Sequence, residues 1–523
     1  MAHPDTRETA SFCRICNAMC GIVVTTRGDD VVSVRGDRDH PLSRGYTCPK
    51  GRALPAFHHH PHRLNEPRTR GGTPGWDACL DDLAREVQAI IDERGADAVG
   101  AYLASGSAFD ANGRRAAERF LRSLGTRQKY TATTIDTPCK PLVAELIGGW
   151  SGLTPVWDCE RSTLLVLFGS NPVVSHGHSN AIPDPVRRLH DHRARGGELW
   201  VVDPRRTETA TLADRHLAVR PGTDHVVLGH LVRELLRDGA DHEYLAAHAT
   251  GVEDLIRAVE PFTAASTAER TGLVVHDLED LLAAIRRHRR VSALTGTGCS
   301  MARTANVTEW FLWALHVVTG SYDAPGGMWF NPGYLSQLDT RPWTPADGVP
   351  GPGPASRPEL PRRFDEYPCA GLVSEIEQGN LRALLVVGGN PVTALPDESR
   401  TRAALARLDV LAVIDVVETE TTALATHVLP AAGQLERADV PWLLDTYQLA
   451  VATQYTPAVV PPGLGRRPVW RIFGELGARL GVAALPQDVE LATATDESLL
   501  RNLAARSRGG ADTVVAARSG TRV

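Results

Sequence analysis

The sequence predicts a multidomain α/β protein in which a small N-terminal β-rich domain precedes two doubly wound parallel-sheet domains. Three observations predict this architecture. Four cysteines surround a hairpin pattern in the first fifty residues, buried strands then alternate with helices, and one strand–turn sequence occurs twice. A chain of 523 residues is long enough to bury several hydrophobic cores.

The N-terminal domain, residues 1–64, is predicted from a hairpin and a cysteine array. β-Branched residues recur from Gly21 to Val34 around a Gly-Asp turn, which is typical of a β-hairpin. Four cysteines flank it: Cys13, Cys16, Cys20 and Cys48. Four thiolates suit a [4Fe–4S] cluster or a zinc site. Structural zinc sites usually pair two short Cys-x-x-Cys knuckles, whereas here three cysteines share one loop, so the spacing favours the cluster over zinc and over four unrelated buried cysteines.

Lys50 follows the fourth cysteine by two residues, in Cys48-Pro49-Lys50-Gly51. A lysine at this spacing would lie between the cluster and any group that exchanges electrons with it. The alternative is a solvated surface lysine.

One α/β domain is predicted to be discontinuous, formed by residues 65–140 and 365–480. Its first helix has an apolar stripe that Gly95 ends, and its strands are short buried runs. The predicted elements are helix Trp76–Arg94, strand Val99–Leu103, helix Ala111–Leu124, strand Leu384–Val387, helix Glu398–Leu408 and strand Leu411–Ile414.

The other α/β domain is predicted over residues 141–336. Its alternation of buried strands and helices indicates a parallel sheet covered by helices. The predicted elements are strand Leu164–Phe168, helix Ile182–Arg193, strand Leu199–Val202, helix Val226–Arg237, strand Val291–Thr295 and helix Thr308–Val318. Residues 337–364, rich in proline and glycine, are predicted as an irregular crossing segment, and residues 481–523 as a tail.

A repeated sequence ends one strand in each α/β domain. Leu165–Val173 reads L-V-L-F-G-S-N-P-V, and Leu384–Val392 reads L-L-V-V-G-G-N-P-V. Open α/β sheets bind ligands at the carboxyl ends of their strands, so the two G-x-N-P turns are candidate ligand cradles. The alternative is a repeated tight turn without a ligand.

Composition limits the other classes of function. The net charge of -6 gives no support to nucleic-acid binding. No segment approaches the ~18–20 apolar residues of a membrane span, and Met1 to Ser11 has neither a secretory nor a twin-arginine signal. The odd total of nine cysteines argues against a disulfide framework. We therefore expect a cytoplasmic protein without a membrane span.

The cysteine array with its C-P-K-G sequence resembles the catalytic subunits of the molybdopterin oxidoreductases, the DMSO reductase family. Further segments resemble this family in the same order over residues 11–480. They are Phe168–Pro172, Val202–Thr207, Arg220–Asp224, Thr319-Gly320, Ala324–Gly327, Gly388–Pro391, Glu418–Thr422 and Val428–Ala432, followed by Glu436. The resemblance implies one [4Fe–4S] cluster and a molybdenum or tungsten ion held by two pterin guanine dinucleotides.

The resemblance also implies roles for individual residues. Asp203 would accept hydrogen bonds from a guanine or a ribose, and Arg205 would meet a phosphate. The residues implied to bind the dinucleotides are Gly169, Ser170, Asn171, Asp203, Arg205, Gly222, Asp224, Gly389 and Asn390. Cys299 lies where the family has a glycine-rich cofactor loop, and we expect it to be incidental.

Cys139 stands where many family members supply a ligand to the metal, and a buried free thiol is the alternative. A cysteine ligand combined with an N-terminal cluster resembles the formate dehydrogenase and nitrate reductase branches. Those branches commonly place His or Met after the ligand, whereas here Lys140 follows and is expected to attract an anionic substrate. Cys139, Lys50 and Lys140 are thus the catalytic candidates.

The resemblance implies an oxidoreductase that passes electrons between a small substrate and a redox partner protein or carrier. Family members normally continue into a C-terminal β-barrel, of which the last forty residues show no sign, so we expect a second polypeptide to supply it or the chain to be truncated. The alternative is a non-catalytic iron–sulfur electron-transfer or assembly subunit without molybdenum, similar to the large subunit of respiratory NADH dehydrogenase.

Overall fold

The computed structural model describes residues 6–342, 344–346, 349–463 and 465–517, and the backbone of 521–522. It confirms the predicted fold class of a small β-rich N-terminal unit followed by parallel sheets covered by helices. Parts of three predictions lie outside the described residues: the absence of a signal at residues 1–5, the crossing segment at 343 and 347–348, and the tail at 518–520 and 523.

The N-terminal unit is a three-stranded antiparallel sheet followed by two short helices. The predicted hairpin is confirmed as its second and third strands. The strands are Thr6–Phe12, Gly21–Arg27 and Asp30–Gly36, and the helices are Pro49–Arg52 and Leu54–His58.

The larger of the two parallel sheets has six strands, and only the two-residue edge strand Arg68–Thr69 runs antiparallel to its neighbour. In spatial order the strands are Arg68–Thr69, His427–Pro430, Val410–Asp415, Ala383–Val387, Val99–Leu103 and Lys129–Thr131. The helices Trp76–Arg94, Ala111–Leu124 and Val469–Leu480 pack on one face. The helices Leu372–Glu377 and Glu398–Leu405 pack on the other. Alternate residues of the central strands therefore enter two separate cores.

The second parallel sheet has four strands, in the spatial order Arg215–Leu217, Glu198–Val202, Leu164–Phe168 and Ser292–Thr295. One face packs against the helices Asp224–Arg237, Val275–His288 and Ala305–Val318. The opposite face packs against Cys139–Gly148 and Pro185–Ala194. The two-stranded antiparallel pair Pro155–Trp157 and Met328–Phe330 lies beside this core.

The remaining described elements are short. Another antiparallel pair joins Ala452–Thr453 to Thr521–Arg522. The other α-helices are Thr133–Asp136, Pro172–Ser175, His242–His248, Val252–Val259, Ala264–Thr271, Thr297–Ser300, Pro391–Ala394, Asp496–Ala504 and Gly510–Ala516. Single 3₁₀ turns are Ala96–Ala98, Ser105–Phe109, Ala210–Leu212, Cys369–Gly371 and Asp445–Tyr447.

Several sequence predictions differ from the structure. The helix predicted as Glu398–Leu408 ends at Leu405, and the helix predicted to begin at Thr308 begins at Ala305. The helix predicted to begin at Ile182 begins at Pro185, because Pro183 and Pro185 interrupt the backbone and Asp184 adopts a left-handed conformation, with φ at 49°. The predicted tail contains two helices, Asp496–Ala504 and Gly510–Ala516, which are too short to show a clear period.

Across the part of the chain that the structure describes, no helix combines the length and the apolar character needed to cross a bilayer.

Candidate functional site

The four N-terminal cysteines lie close together. Cys13, Cys16 and Cys20 occupy the loop between the first two strands, which the Cys13 backbone N–H closes by donating to the Cys20 carbonyl at 2.9 Å. Cys48 directly precedes the helix Pro49–Arg52. Burial raises the pKa of Cys13 to about 12, with the neighbouring Cys16 and Cys48 contributing in the same direction. Burial also raises the pKa of Cys16 and Cys20.

The four thiols gathered around this loop suit an iron–sulfur cluster or a zinc ion. Among the described residues, no three His, Cys, Asp or Glu side chains converge in this structure closely enough to hold one metal ion. Buried thiols with a raised pKa ionise only beside strong positive charge, which a bound metal centre would supply.

Lys50 is exposed, and its charge acts on both the cysteine loop and the segment that follows the first G-x-N-P turn. Its positive charge opposes the rise in the pKa of Cys16. Burial lowers the pKa of His176, and the charge of Lys50 lowers it further. His176 directly follows the helix Pro172–Ser175. The Tyr46 hydroxyl and His176 Nε2 are hydrogen bonded at 2.8 Å, which joins the N-terminal domain to this turn.

The two G-x-N-P turns have the same backbone geometry. Gly169 and Gly388 adopt positive φ angles of 54° and 62°, which favour glycine. Each glycine donates its N–H to the adjacent strand at 2.9 Å, Gly169 to Val202 and Gly388 to Ile414. A Cβ at Gly169 would lie 3.0 Å from the Cys299 nitrogen, so the turn brings two backbone segments into close contact.

A side-chain network fixes the first turn. The Asn171 amide donates to Glu208 Oε2 at 2.7 Å, and its Oδ1 accepts a hydrogen bond from the Thr209 hydroxyl at 2.7 Å. The Asn171 side chain thereby holds the turn against the loop that follows the next strand.

The same network recurs at the second turn. The Asn390 amide donates to Glu420 Oε2 at 2.6 Å, and its Oδ1 accepts from the Thr421 hydroxyl at 2.6 Å. The two turns are therefore equivalent in their side chains as well as in their backbones.

Sequence analysis missed four members of these networks: Glu208, Thr209, Glu420 and Thr421. A signal was available, because the triplet Thr-Glu-Thr occurs at 207–209 and again at 419–421. In each copy its glutamate stands five residues after an aspartate at the carboxyl end of a strand: Asp203, which follows Val202, or Asp415.

The two aspartates differ in burial. Asp203 is half-buried, and its Oδ1 accepts a hydrogen bond from the Arg205 backbone N–H at 2.9 Å, so the carboxylate also caps the strand end. The Arg205 side chain is exposed and lies 3.4 Å from Glu208. Burial raises the pKa of Asp415 to about 6, although backbone N–H groups, including that of Gly389, oppose the rise.

Asp224 is buried at the first turn of the helix Asp224–Arg237, and burial raises its pKa. The Cys299 thiol donates a hydrogen bond to its carboxylate. Cys299 Sγ also lies 3.1 Å from the position of a Cβ at Gly169. Cys299, which we expected to be incidental, thus lies against two predicted site residues. Gly222 has φ at 78°, and its carbonyl accepts from Thr304 at 3.2 Å.

A cleft of about 530 Å³ lies where strands of the two parallel sheets end. Its lining includes Cys16, Arg114, Asp136, His178 and Tyr447. His178 Nε2 is buried without a hydrogen-bond partner, and burial lowers the pKa of this imidazole to about 3. The cleft therefore adjoins the cysteine loop and has beside it a buried imidazole nitrogen without a hydrogen-bond partner.

Cys139 is the first residue of the helix Cys139–Gly148 and is buried. Its thiol lies 3.8 Å from Ser300 Oγ. Burial raises its pKa, with the Glu309 charge contributing in the same direction. Thr137, two residues earlier, lines the cleft, whereas Cys139 does not. Metal ligation by Cys139 stays a prediction.

Lys140 lines a narrow side pocket of about 130 Å³ that shares Thr133 and Thr137 with the cleft. Its Nζ donates to Thr295 at 2.7 Å and pairs with the buried Glu309 carboxylate at 3.3 Å. This carboxylate offsets the lysine charge and weakens the expected attraction for an anionic substrate.

A second cavity, of about 260 Å³, lies at the other turn. Gly388 and Asp415 line it together with Arg14, the neighbour of Cys13. Arg114 lines both this cavity and the cleft. The second G-x-N-P turn and the cysteine loop are therefore lined by adjoining cavities that share Arg114.

The buried carboxyl of Glu366 lies next to the cleft and has a raised pKa. The Thr131 hydroxyl, at the cleft wall, donates to Glu366 Oε1 at 2.9 Å. Burial raises the pKa of Glu366 from 4.5 to about 7. The folded protein thus binds this proton more tightly than the unfolded chain does. Glu366 therefore contributes stability that is fully present below about pH 4.5 and is lost as the pH rises to about 7.

Glu366→Gln should remove this pH dependence. As the pH rises from about 5 to about 8, wild type should lose about 2 kcal/mol of unfolding free energy that the variant keeps. Thermal unfolding across this range measures the difference, with the exposed Glu253→Gln as the control. Parallel pH profiles for E366Q and wild type would contradict the assignment.

The residues around the first G-x-N-P turn fit a pterin nucleotide. Gly296 leaves no room for a side chain, since a Cβ there would lie 2.4 Å from the Gly169 carbonyl oxygen. Unpartnered imidazole nitrogens, His176 Nδ1 and His178 Nε2, lie beside the first turn. Such donors and acceptors suit the heteroatom-rich edges of a pterin.

Comparison with known families decides the identity of this fold. A sequence profile of the molybdopterin oxidoreductases matches residues 63–479, and a profile of their Fe4S4 domain matches residues 6–60. The chain belongs to the molybdopterin oxidoreductase family. It therefore carries the iron–sulfur domain and the molybdopterin domain of a family of enzymes.

Individual relatives agree with this assignment. Probable oxidoreductase YoaE of Bacillus subtilis is 25% identical over 445 residues, covering 82% of this chain and 62% of the relative. The nitrate reductase of Symbiobacterium thermophilum is 26% identical, covering 92% and 67%, and that of Klebsiella oxytoca is 25% identical, covering 91% and 55%. This molybdopterin oxidoreductase thus spans about half to two thirds of the length of such relatives.

A solved structure shares the fold. Acetylene hydratase from Pelobacter acetylenicus superposes with a TM-score of 0.78 at 18% identity, covering 90% of this chain and 69% of the other. At this identity the likeness shows the fold alone.

Proposed function

We propose that this chain is a molybdenum- or tungsten-dependent oxidoreductase that binds two pterin guanine dinucleotides and one [4Fe–4S] cluster. It would exchange electrons between a small substrate and a redox partner protein or carrier. The duplicated Asn–Glu–Thr network at the two strand ends carries this proposal. Relatives named nitrate reductases and oxidoreductases support the class of reaction.

Two equivalent cradles support two similar ligands. Parallel sheets bind ligands at the carboxyl ends of their strands, and each parallel sheet of this chain places one G-x-N-P turn there. We assign Gly169, Ser170, Asn171, Asp203, Arg205, Gly222 and Asp224 to one dinucleotide, and Gly389 and Asn390 to the other. The proposed division into domains, with 65–140 and 365–480 apart from 141–336, gives each domain one cradle.

The chain's own groups would hold and insulate these cofactors. When bound, the metal centre supplies two-electron chemistry, and a cluster supplies one-electron transfer. Cys13, Cys16, Cys20 and Cys48 would bind the cluster, and Cys139 would bind the metal. Lys50 would lower the cost of negative charge between them, because it is the cation near both Cys16 and His176.

A second candidate is an iron–sulfur electron-transfer or assembly subunit without molybdenum. The burial of Cys139 outside the cleft favours it, as does the pairing of Lys140 with Glu309. This subunit would bind iron but neither a group 6 metal nor guanine nucleotide.

Counting released nucleotides tests the proposed function. Protein purified without oxygen should release about two guanosine monophosphates per metal ion after acid hydrolysis, one from each dinucleotide. Asn171→Leu and Asn390→Leu should each lower the amount of nucleotide released per chain, because each breaks one network, whereas Asn380→Leu, at the opposite end of the strand Ala383–Val387, should not. Release of no guanine nucleotide from wild type would refute the dinucleotide assignment.

A further inference from the structure

A groove of about 1050 Å³ lies apart from the site described above. No cysteine of the loop, strand-end glycine or network residue lines it. Its walls come from the helix Ala111–Leu124, the segment 335–341, Trp442, and residues 483–506. It is large enough for a ligand of nucleotide size.

Arginines dominate the polar lining of this groove. They are Arg115, Arg119, Arg341 and Arg506. None of the four guanidinium groups forms an ion pair with a carboxylate within the described part of the chain, where most arginines are paired. The carboxylate in the lining, that of Asp488, accepts hydrogen bonds from Asn502 at 3.0 and 3.3 Å. The groove therefore concentrates positive charge in a chain whose net charge is -6.

The arrangement of two of these arginines is unfavourable without an anion. Arg115 and Arg119 stand four residues apart on one helix, a spacing at which like charges destabilise a helix. Burial lowers the pKa of Arg115, and the charge of Arg119 lowers it further. The Arg115 guanidinium also lies over the Trp442 ring, 5.9 Å from its centroid. An anion bound between the two helical arginines would remove their repulsion.

We propose that this groove binds a polyphosphate chain, carried by a nucleoside triphosphate or present as inorganic polyphosphate. Guanidinium groups recognise phosphate through paired hydrogen bonds, and several of them spread along a groove match several linked phosphates better than one carboxylate. Trp442 would offer a stacking surface to a nucleobase. This site is independent of the oxidoreductase chemistry, so its failure would leave the proposed function intact.

Calorimetric titration of the 523-residue chain, purified without oxygen, tests the site. The probes are sodium tripolyphosphate and ATP, both without magnesium. We expect dissociation constants below about 1 mM, weakened about tenfold or more in the double variant Arg115→Gln/Arg119→Gln. Arg506→Gln, on a separate segment of the groove, should also weaken binding. It tests the site even if the helical double variant fails to fold. The matched control, Arg85→Gln/Arg94→Gln, removes two surface charges outside the groove and should bind as wild type does.

The outcomes distinguish a nucleotide from an inorganic polyphosphate chain, and both of these from a groove that binds neither. Tighter binding of ATP than of tripolyphosphate, lost in Trp442→Leu, identifies a nucleotide. Equal binding of both probes identifies an inorganic chain. Absence of binding to wild type, or equal weakening in the groove variants and the surface control, would overturn the site.

Discussion

Replacing Cys48 with serine should remove most of the bound iron and lower the thermal stability of the protein. Cys48 precedes the helix Pro49–Arg52, a position where serine is a favourable residue, so the substitution removes a thiolate without harming the helix. A bound cluster stabilises only the folded chain, and its loss should lower the unfolding midpoint by several degrees.

Iron analysis and thermal unfolding measure this effect. The control is Cys159→Ser, a half-buried cysteine away from the loop, which should keep both its iron and its midpoint. Unchanged iron in the Cys48 variant would exclude this residue from the cluster.

Replacing Cys139 with alanine should abolish most turnover while leaving the cluster in place. Loss of a direct metal ligand should cost at least about a hundredfold, since even the outer partners of ligands contribute about 10- to 100-fold. X-ray absorption at the metal edge should show about one sulfur neighbour fewer, and iron should stay constant.

The surroundings of Cys139 make the opposite result of this experiment informative as well. Cys139 is buried beside Ser300 and does not line the cleft. An unchanged metal spectrum in C139A would identify a free buried thiol and favour the subunit without molybdenum. Cys159→Ala, outside the site, should alter neither the spectrum nor the iron content.

Much of the fold could be predicted from local signals. The strands Val99–Leu103 and Leu164–Phe168 and the helices Trp76–Arg94 and Ala111–Leu124 have the predicted bounds. The two strands are unbroken apolar runs, and a glycine follows each of the two helices. Prediction failed at Ile182, where two prolines outweighed the apolar period.

Less of the site could be predicted from the sequence, because its interacting residues come together only when distant strands and helices pack in the fold. The cysteine loop and the two G-x-N-P turns are local and were recognised. Asn171 meets Glu208 only because the next parallel strand returns beside the first. Lys140 meets Glu309 across 169 residues, which no local pattern could indicate.

Metal analysis of protein purified without oxygen tests the central claim most directly. The duplicated cradles and the cysteine loop predict about four irons and one molybdenum or tungsten per chain. One zinc per chain, with neither iron nor a group 6 metal, would contradict both the cluster and the molybdopterin site.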